Sequence, residues 1–469
     1  MMMNPLRQPS VARDSVVIAH WRILGHAACT RSAPPCNNLI MSKKESFILW
    51  LVIVAAFIPM TMLRDLTPDN EMRYVSIADA ALRSGHFFAF TLNGAPYADK
   101  PPFYLWLVML CKVLAGKHVP WLLSMLSLVP AVAIAAIMER LSAIGLSGRQ
   151  RALARLMLMT SAYYAASAIV VRMDMLMSLF IVLALHTFWQ LYCGTARPAH
   201  RWLLPVWLFL AVFTKGPLGL LLPVATVLGF LAARGKARRF FAYLDWRTWT
   251  VLAVACTAWF AAGYHEGGSA YVYNLLVHQT LGRAFNAFHH RQPIYFYLVS
   301  MWQVLAPWSL LAVGAIVCGM RQRARLTSLQ QFMLSAVLLP FVLLSCISSK
   351  LPVYLLPTLP FAIFFTVSML PHIASTRWAR WCIAVPAALL CLALPALVVA
   401  SGMHGLSFLA SGLLVAAAGC LTLSGAVALG LMLRRPAATS LPLRVVAAGM
   451  LLALFLAGLD MPHLNPFFS

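Results

Sequence analysis

Residues 65–104 carry five of the chain's 12 carboxylates: Asp65, Asp69, Glu71, Asp79 and Asp99. Arg73, Arg83 and Lys100 lie among them, and the stretch closes on Lys100-Pro101-Pro102. Acids, bases and aromatics interleaved in one loop point to a site more than to a solvated connector, because loops held by rigid scaffolds carry function. Asp69 and Glu71 form the first candidate pair. A carboxylate at a membrane surface takes a proton from a weak nucleophile, and a second one nearby orients it. Helix capping by Asp69 or Asn70 accounts for one acid of the pair, not both. Asp174, in Val171-Arg172-Met173-Asp174, stands at the end of an apolar run. A carboxylate near membrane depth reads as functional, with an interfacial ion pair to Arg172 as the simpler alternative.

The basic candidates share a pattern. Lys100, Lys215 and Lys350 each precede a proline by one or two residues, in Lys100-Pro101-Pro102, Lys215-Gly216-Pro217 and Lys350-Leu351-Pro352. Proline stiffens such turns. Three ammonium groups on one face suit phosphate or pyrophosphate; snorkelling from helix ends explains any one of them, but all three less well. Residues 265–293 add His278, Arg283, His290 and Arg291. The arginines suit phosphate as planar forks. Asp99, His278 and His290 are a candidate set for a divalent metal, although no HExxH or other paired spacing supports it. No glycine-rich phosphate loop or other cofactor motif is present.

The elements that must hold these residues are membrane helices. Of 469 residues, 62% are hydrophobic and 10% charged, with mean hydropathy +0.82; soluble domains carry roughly 25% charged residues. The formal charge of +24 comes from basic residues scattered in short clusters between apolar spans. That arrangement fits cytoplasmic anchoring to an anionic leaflet and speaks against nucleic-acid binding. The ten cysteines show neither CxxC nor zinc spacing, so most read as small apolar residues.

Apolar length and basic clusters thread the chain as thirteen spans. They begin with Phe47–Leu63, Trp121–Glu139 and Ala154–Val171, continue through Met175–Cys193, Trp202–Thr214, Leu218–Ala233, Trp249–Tyr264 and Ile294–Met320, and close with Leu329–Ile347, Pro352–Leu370, Cys382–Ala400, Leu406–Met432 and Val445–Leu459. Residues 102–115 read as an interfacial or re-entrant helix. This threading places residues 1–45 in the cytoplasm and the loops 64–120 and 265–293 outside. Eight of the 12 carboxylates then fall outside, as do Lys100, Lys215, Arg283, Arg291 and Lys350, against the positive-inside trend. An extracytoplasmic site for an anionic ligand is the expectation. Residues 1–40 lack the apolar core of a signal peptide and read as a tail or as sequence upstream of a start at Met41. Residues 46–370 form the expected catalytic module, and residues 371–469 further helices without a soluble C-terminal domain.

Several motifs, in order, resemble one family. Pro68-Asp69-Asn70-Glu71-Met72-Arg73-Tyr74, then Tyr97 and Asp99-Lys100-Pro101-Pro102, is similar to the first outer loop of the bacterial aminoarabinose transferases that modify lipid A, which belong with the GT-C class and the protein O-mannosyltransferases. The likeness continues through Arg172-Met173-Asp174, Thr214-Lys215-Gly216-Pro217, His290-Arg291-Gln292-Pro293 and Lys350-Leu351-Pro352-Val353-Tyr354, and covers residues 45–370. The resemblance implies an all-α, GT-C-type membrane glycosyltransferase of the bacterial inner membrane, working on the periplasmic face with an undecaprenyl (polyprenyl) phosphate-sugar donor and a lipid A or other envelope-glycan acceptor. It implies catalysis by Asp69 or Glu71 assisted by Asp174. Donor phosphate binding would fall to Arg73, Tyr97, Lys100, Lys215, Arg283, Arg291, Lys350 and Tyr354. Asn70 splits the family's usual Asp-Glu pair. The rival class is a polytopic lipid or sugar transporter, which would show internal repeats and helices broken at mid-membrane.

Overall fold

The computed structural model describes residues 41–68, 70–276, 291–434 and 439–468. Nearly all of them are helical, as a chain spanning lipid must be to satisfy its backbone polar groups internally. Eight helices are long and apolar enough to cross a membrane: Lys43–Leu63, Pro120–Ile144, Asp174–Cys193, Ser328–Cys346, Pro352–Ile373, Arg377–Ser401, Gly412–Arg434 and Ser440–Leu459. The other five expected spans fall on shorter, kinked or broken helices. His200–Lys215 and Leu218–Ala233 have 16 residues each, and Trp246–Tyr273 is kinked at Gly268.

Two of these five are each broken into two helices. Ala154–Val171 is two helices, Gly148–Met159 and Ala162–Ile169, because the hydroxyls of Thr160 and Ser161 donate back to the carbonyls of Leu156 and Met157 and end the first. Ile294–Met320 is likewise split into Phe296–Val304 and Ser309–Arg321 around Pro307, which has no N–H to continue a ladder. The amide of Ala162 donates to the carbonyl of Ala306 at 2.9 Å, so each break supplies a partner for the other.

The two ends of the bundle differ in chemistry. At one end the fully buried Arg155 meets Glu139 at 3.3 Å, reaches the Ser46 carbonyl and lies 4.4 Å over the Trp50 ring. Arg444 reaches the Arg149 carbonyl there. The other end holds the loop that contains residues 65–104. Its helix Glu71–Ser84 ends on Gly85 and packs on Pro102–Ala115, with Tyr74 and Tyr104 edge to face at 5.5 Å. Between them Phe90–Leu92 pairs antiparallel with Ala95–Tyr97. Asn93 and Gly94 both take positive φ, 51° and 80°, the turn that an Asn-Gly pair favours in a two-residue hairpin. Glu266 accepts the amides of Phe88 and Ala89 at 2.6 and 2.9 Å and so ties this hairpin to the helix Trp246–Tyr273.

Candidate active site

Two helix ends meet at the centre of this face. Asp174 opens the helix Asp174–Cys193, and Lys215 closes His200–Lys215 beside it. Asp174 is 3% exposed; one carboxylate oxygen accepts from the Lys215 ammonium, and Arg172 Nε lies 3.2 Å from the other. The Lys215 ammonium sits 4.9 Å from the centre of the Tyr354 ring, a cation–π distance. Gly216 takes φ 95° and ψ −158°, a conformation that only glycine adopts without strain, and so turns the chain sharply after the lysine. Nearby, Lys100 Nζ lies 2.9 Å from Asp99 Oδ2, and the Tyr97 hydroxyl donates to the same oxygen at 3.2 Å.

Lys215, Gly216, Tyr354, Asp99 and Lys100 line a cleft of about 400 Å³. Asp99, Lys100, Lys215 and Tyr354 line its polar end, while Val212, Leu218, Leu221, Trp259, Phe260 and Leu276 are among its apolar walls. Three cations, Lys100, Lys215 and Arg172, face two carboxylates, Asp99 and Asp174. Those five described groups together sum to one positive charge. Burial pushes the Tyr74 phenol up to about 12, with Asp174 adding to the effect, and raises Tyr97 as well, with Asp99 adding to it. Both stay protonated donors at neutral pH.

Glu71 has another place. Its side chain is fully buried, and its two oxygens accept from five donors: both terminal nitrogens of Arg64 at 2.7 Å, the Thr67 amide at 2.8 Å, the Thr67 hydroxyl at 3.1 Å and the Val171 amide at 2.5 Å. Burial works against its charge, but Arg64 and the amides outweigh that and hold its carboxyl below the ordinary value. A carboxylate with its lone pairs so occupied is poorly disposed to act as a base. The expectation that it does catalysis gives way to an anchoring role, joining the outer helix to the backbone just before Asp174. Asp69 lies outside the described residues, as do Arg283, His278 and His290. Arg73 donates to Asn70 Oδ1 at 3.2 Å. Among the described residues no three His, Cys, Asp or Glu side chains converge as metal ligands, and Asp99 Oδ2 is engaged by Lys100 and Tyr97.

Described members of the expected phosphate-binding set line two pockets. Lys100, Lys215 and Tyr354 share the cleft, whereas Arg291 and Lys350 line a second pocket. Arg64, Trp259 and Phe260 escaped the sequence reading. Arg64 carried a usable signal, since it too is a basic residue on the face that the positive-inside trend leaves poor in them.

No family model matches the chain. An uncharacterized protein of Aquifex aeolicus is 25% identical over 333 residues, 70% of this chain and 64% of its own length. The undecaprenyl phosphate-alpha-4-amino-4-deoxy-L-arabinose arabinosyl transferase of Pseudomonas savastanoi is 26% identical over 346 residues, 71% of this chain and 62% of its own. Among solved structures, ArnT from Cupriavidus metallidurans bound to undecaprenyl phosphate superposes with a TM-score of 0.74 at 19% identity, over 91% of this chain and 79% of that one. The fold is similar to that of ArnT. The chain spans under two thirds of the length of those two curated relatives. This ArnT-like, all-α polytopic fold is the architecture expected from the resemblance.

Proposed function

We propose that this protein is a glycosyltransferase of the bacterial inner membrane, working on the periplasmic face with an undecaprenyl phosphate-sugar donor and a lipid A or other envelope-glycan acceptor. The observation that carries the reading is the cleft, apolar along its walls and cationic at one end. A polyprenyl phosphate-sugar has the same two parts. Its monoanionic phosphodiester would neutralise the single excess charge of the Lys100–Lys215–Arg172 cluster.

Lys100 and Lys215 hold the phosphate and stabilise the charge that grows on it as the anomeric C–O bond breaks, where a low dielectric makes fixed cations effective. Asp174 positions Lys215, and Asp99 with Tyr97 positions Lys100. Tyr354 flanks Lys215. Asp69 takes the proton of the attacking acceptor oxygen, since Glu71 is engaged by five donors and Asp174 by two cations. Displacement at the anomeric carbon inverts its configuration. The experiment is transfer from undecaprenyl phosphate-sugar in liposomes. Lys100→Ala should cut the rate by about 10²-fold, and Lys100→Arg should recover part of it, because a planar fork replaces a compact ammonium. Unchanged kinetics in Lys100→Ala would remove the donor-phosphate assignment.

A further inference from the structure

Lys350 is 3% exposed and carries a charge that the described residues do not balance. It lies between the helix Ser328–Cys346 and the 3₁₀ turn Pro352–Thr358. Its Nζ donates to the Gln292 carbonyl at 3.0 Å, and no ion pair among the described residues includes it. Residues 277–290, next to Arg291, contain no Asp or Glu. An ammonium taken out of water without a counter-charge is costly, and one carbonyl oxygen offsets only part of that.

Arg291 stands beside it, held by an isolated antiparallel bridge to Ser349. Both cations line a pocket of about 400 Å³ together with Gln292, Ser345, Cys346 and Ser348, and among the described residues no carboxylate lines it. Its lining contrasts with that of the cleft. Its walls are too polar to hold an isoprenoid chain, but a fork and a point charge on one side suit an oxyanion. Ser349 lines the cleft while Lys350 lines the pocket, so the two are neighbours.

We propose that the Arg291–Lys350 pocket binds a phosphate group on the acceptor, separately from the donor phosphate held by Lys100 and Lys215. This rests on the transferase reading above. It moves Arg291 and Lys350 from the donor to the acceptor, and orients the acceptor's attacking oxygen from one side while the donor lies on the other.

Cys346 is a free, exposed thiol in the same pocket and reports on its occupancy. The test is the rate of Cys346 alkylation by iodoacetamide, read by peptide mass spectrometry on the full chain in lipid nanodiscs. Inorganic phosphate should slow alkylation saturably, by about elevenfold at ten times its Kd. Undecaprenyl phosphate should not. Lys350→Gln and Arg291→Gln should each lose the protection; Arg291 is exposed, so its variant serves if Lys350→Gln does not fold. In transfer assays Arg291→Gln should raise the acceptor KM and leave the donor KM unchanged. Protection by undecaprenyl phosphate but not by inorganic phosphate would return Lys350 to the donor site and overturn the proposal, with the transferase reading intact. Absence of protection, or protection unchanged in both variants, overturns it too. Failure of the transferase reading shows separately, as no sugar transfer by a protein whose Cys346 is still protected.

Discussion

At the scale of residues, the charged groups divide by what satisfies them. Glu71 is held by Arg64, Thr67 and Val171. Removing one partner of a buried ion pair costs about 3–5 kcal/mol, so Glu71→Ala should lower thermal stability in detergent by that order. Its pH dependence has a definite sign. The folded-state value lies below the ordinary one of 4.5, so the stabilisation is complete above about pH 4.5 and is lost as pH falls through the lowered value. Melting temperature against pH should drop below that point in the wild type, and Glu71→Ala should show less of the drop; parallel curves would deny Glu71 this role. The sequence made the Asp69/Glu71 pair visible because two acids beside an apolar span are rare. It did not reveal which was engaged, because the partners come from seven residues upstream and from a backbone amide 100 residues away.

At the scale of elements, the site depends on how two helices end. The helix after Lys215 comes very close to the one before it: a Cβ on Gly219 would meet the Ala211 carbonyl carbon at 2.3 Å. Gly216 has open space around its missing Cβ, so its constraint is one of backbone conformation alone. Gly216→Ala should cost about 1–3 kcal/mol and swing Lys215 away from Asp174, lowering transfer as well as stability. Gly235→Ala is the control, since φ is 68° there too but the residue lies at the end of the bundle away from the site. Equal activity losses in both variants would mean that Gly216 acts only through stability. Lys-Gly-Pro was legible as a turn. The breaks at Thr160-Ser161 and at Pro307 were not, because each is stabilised through the other across the fold.

At the scale of the whole molecule, alternation of helices between two ends was legible from apolar length and basic clusters. Contacts among the described residues agree with it, joining Ser46, Glu139, Arg155, Arg149 and Arg444 at one end. A cysteine placed at Asn93, in the exposed hairpin turn, should react with a membrane-impermeant maleimide on intact cells once the outer membrane is permeabilised. A cysteine at Ala237, after Arg234, should react only after lysis. Both positions are exposed. The reverse pattern would invert the orientation and place the cleft on the cytoplasmic face. The walls of that cleft were not legible at all, because Trp259, Phe260 and Leu221 read as ordinary lipid-facing residues of their spans.

The apolar walls of the cleft have a kinetic consequence. A methylene leaving water gains about 0.8 kcal/mol, but one that leaves the bilayer for Leu221 or Trp259 exchanges one hydrocarbon environment for another. On the proposed function, a donor already dissolved in lipid gains little from its chain and owes its retention to Lys100 and Lys215. What governs occupancy is then its mole fraction in the bilayer, not its amount per volume of buffer. If the proposed transfer is correct, adding inert phospholipid at fixed amounts of protein and donor should slow it by dilution in two dimensions.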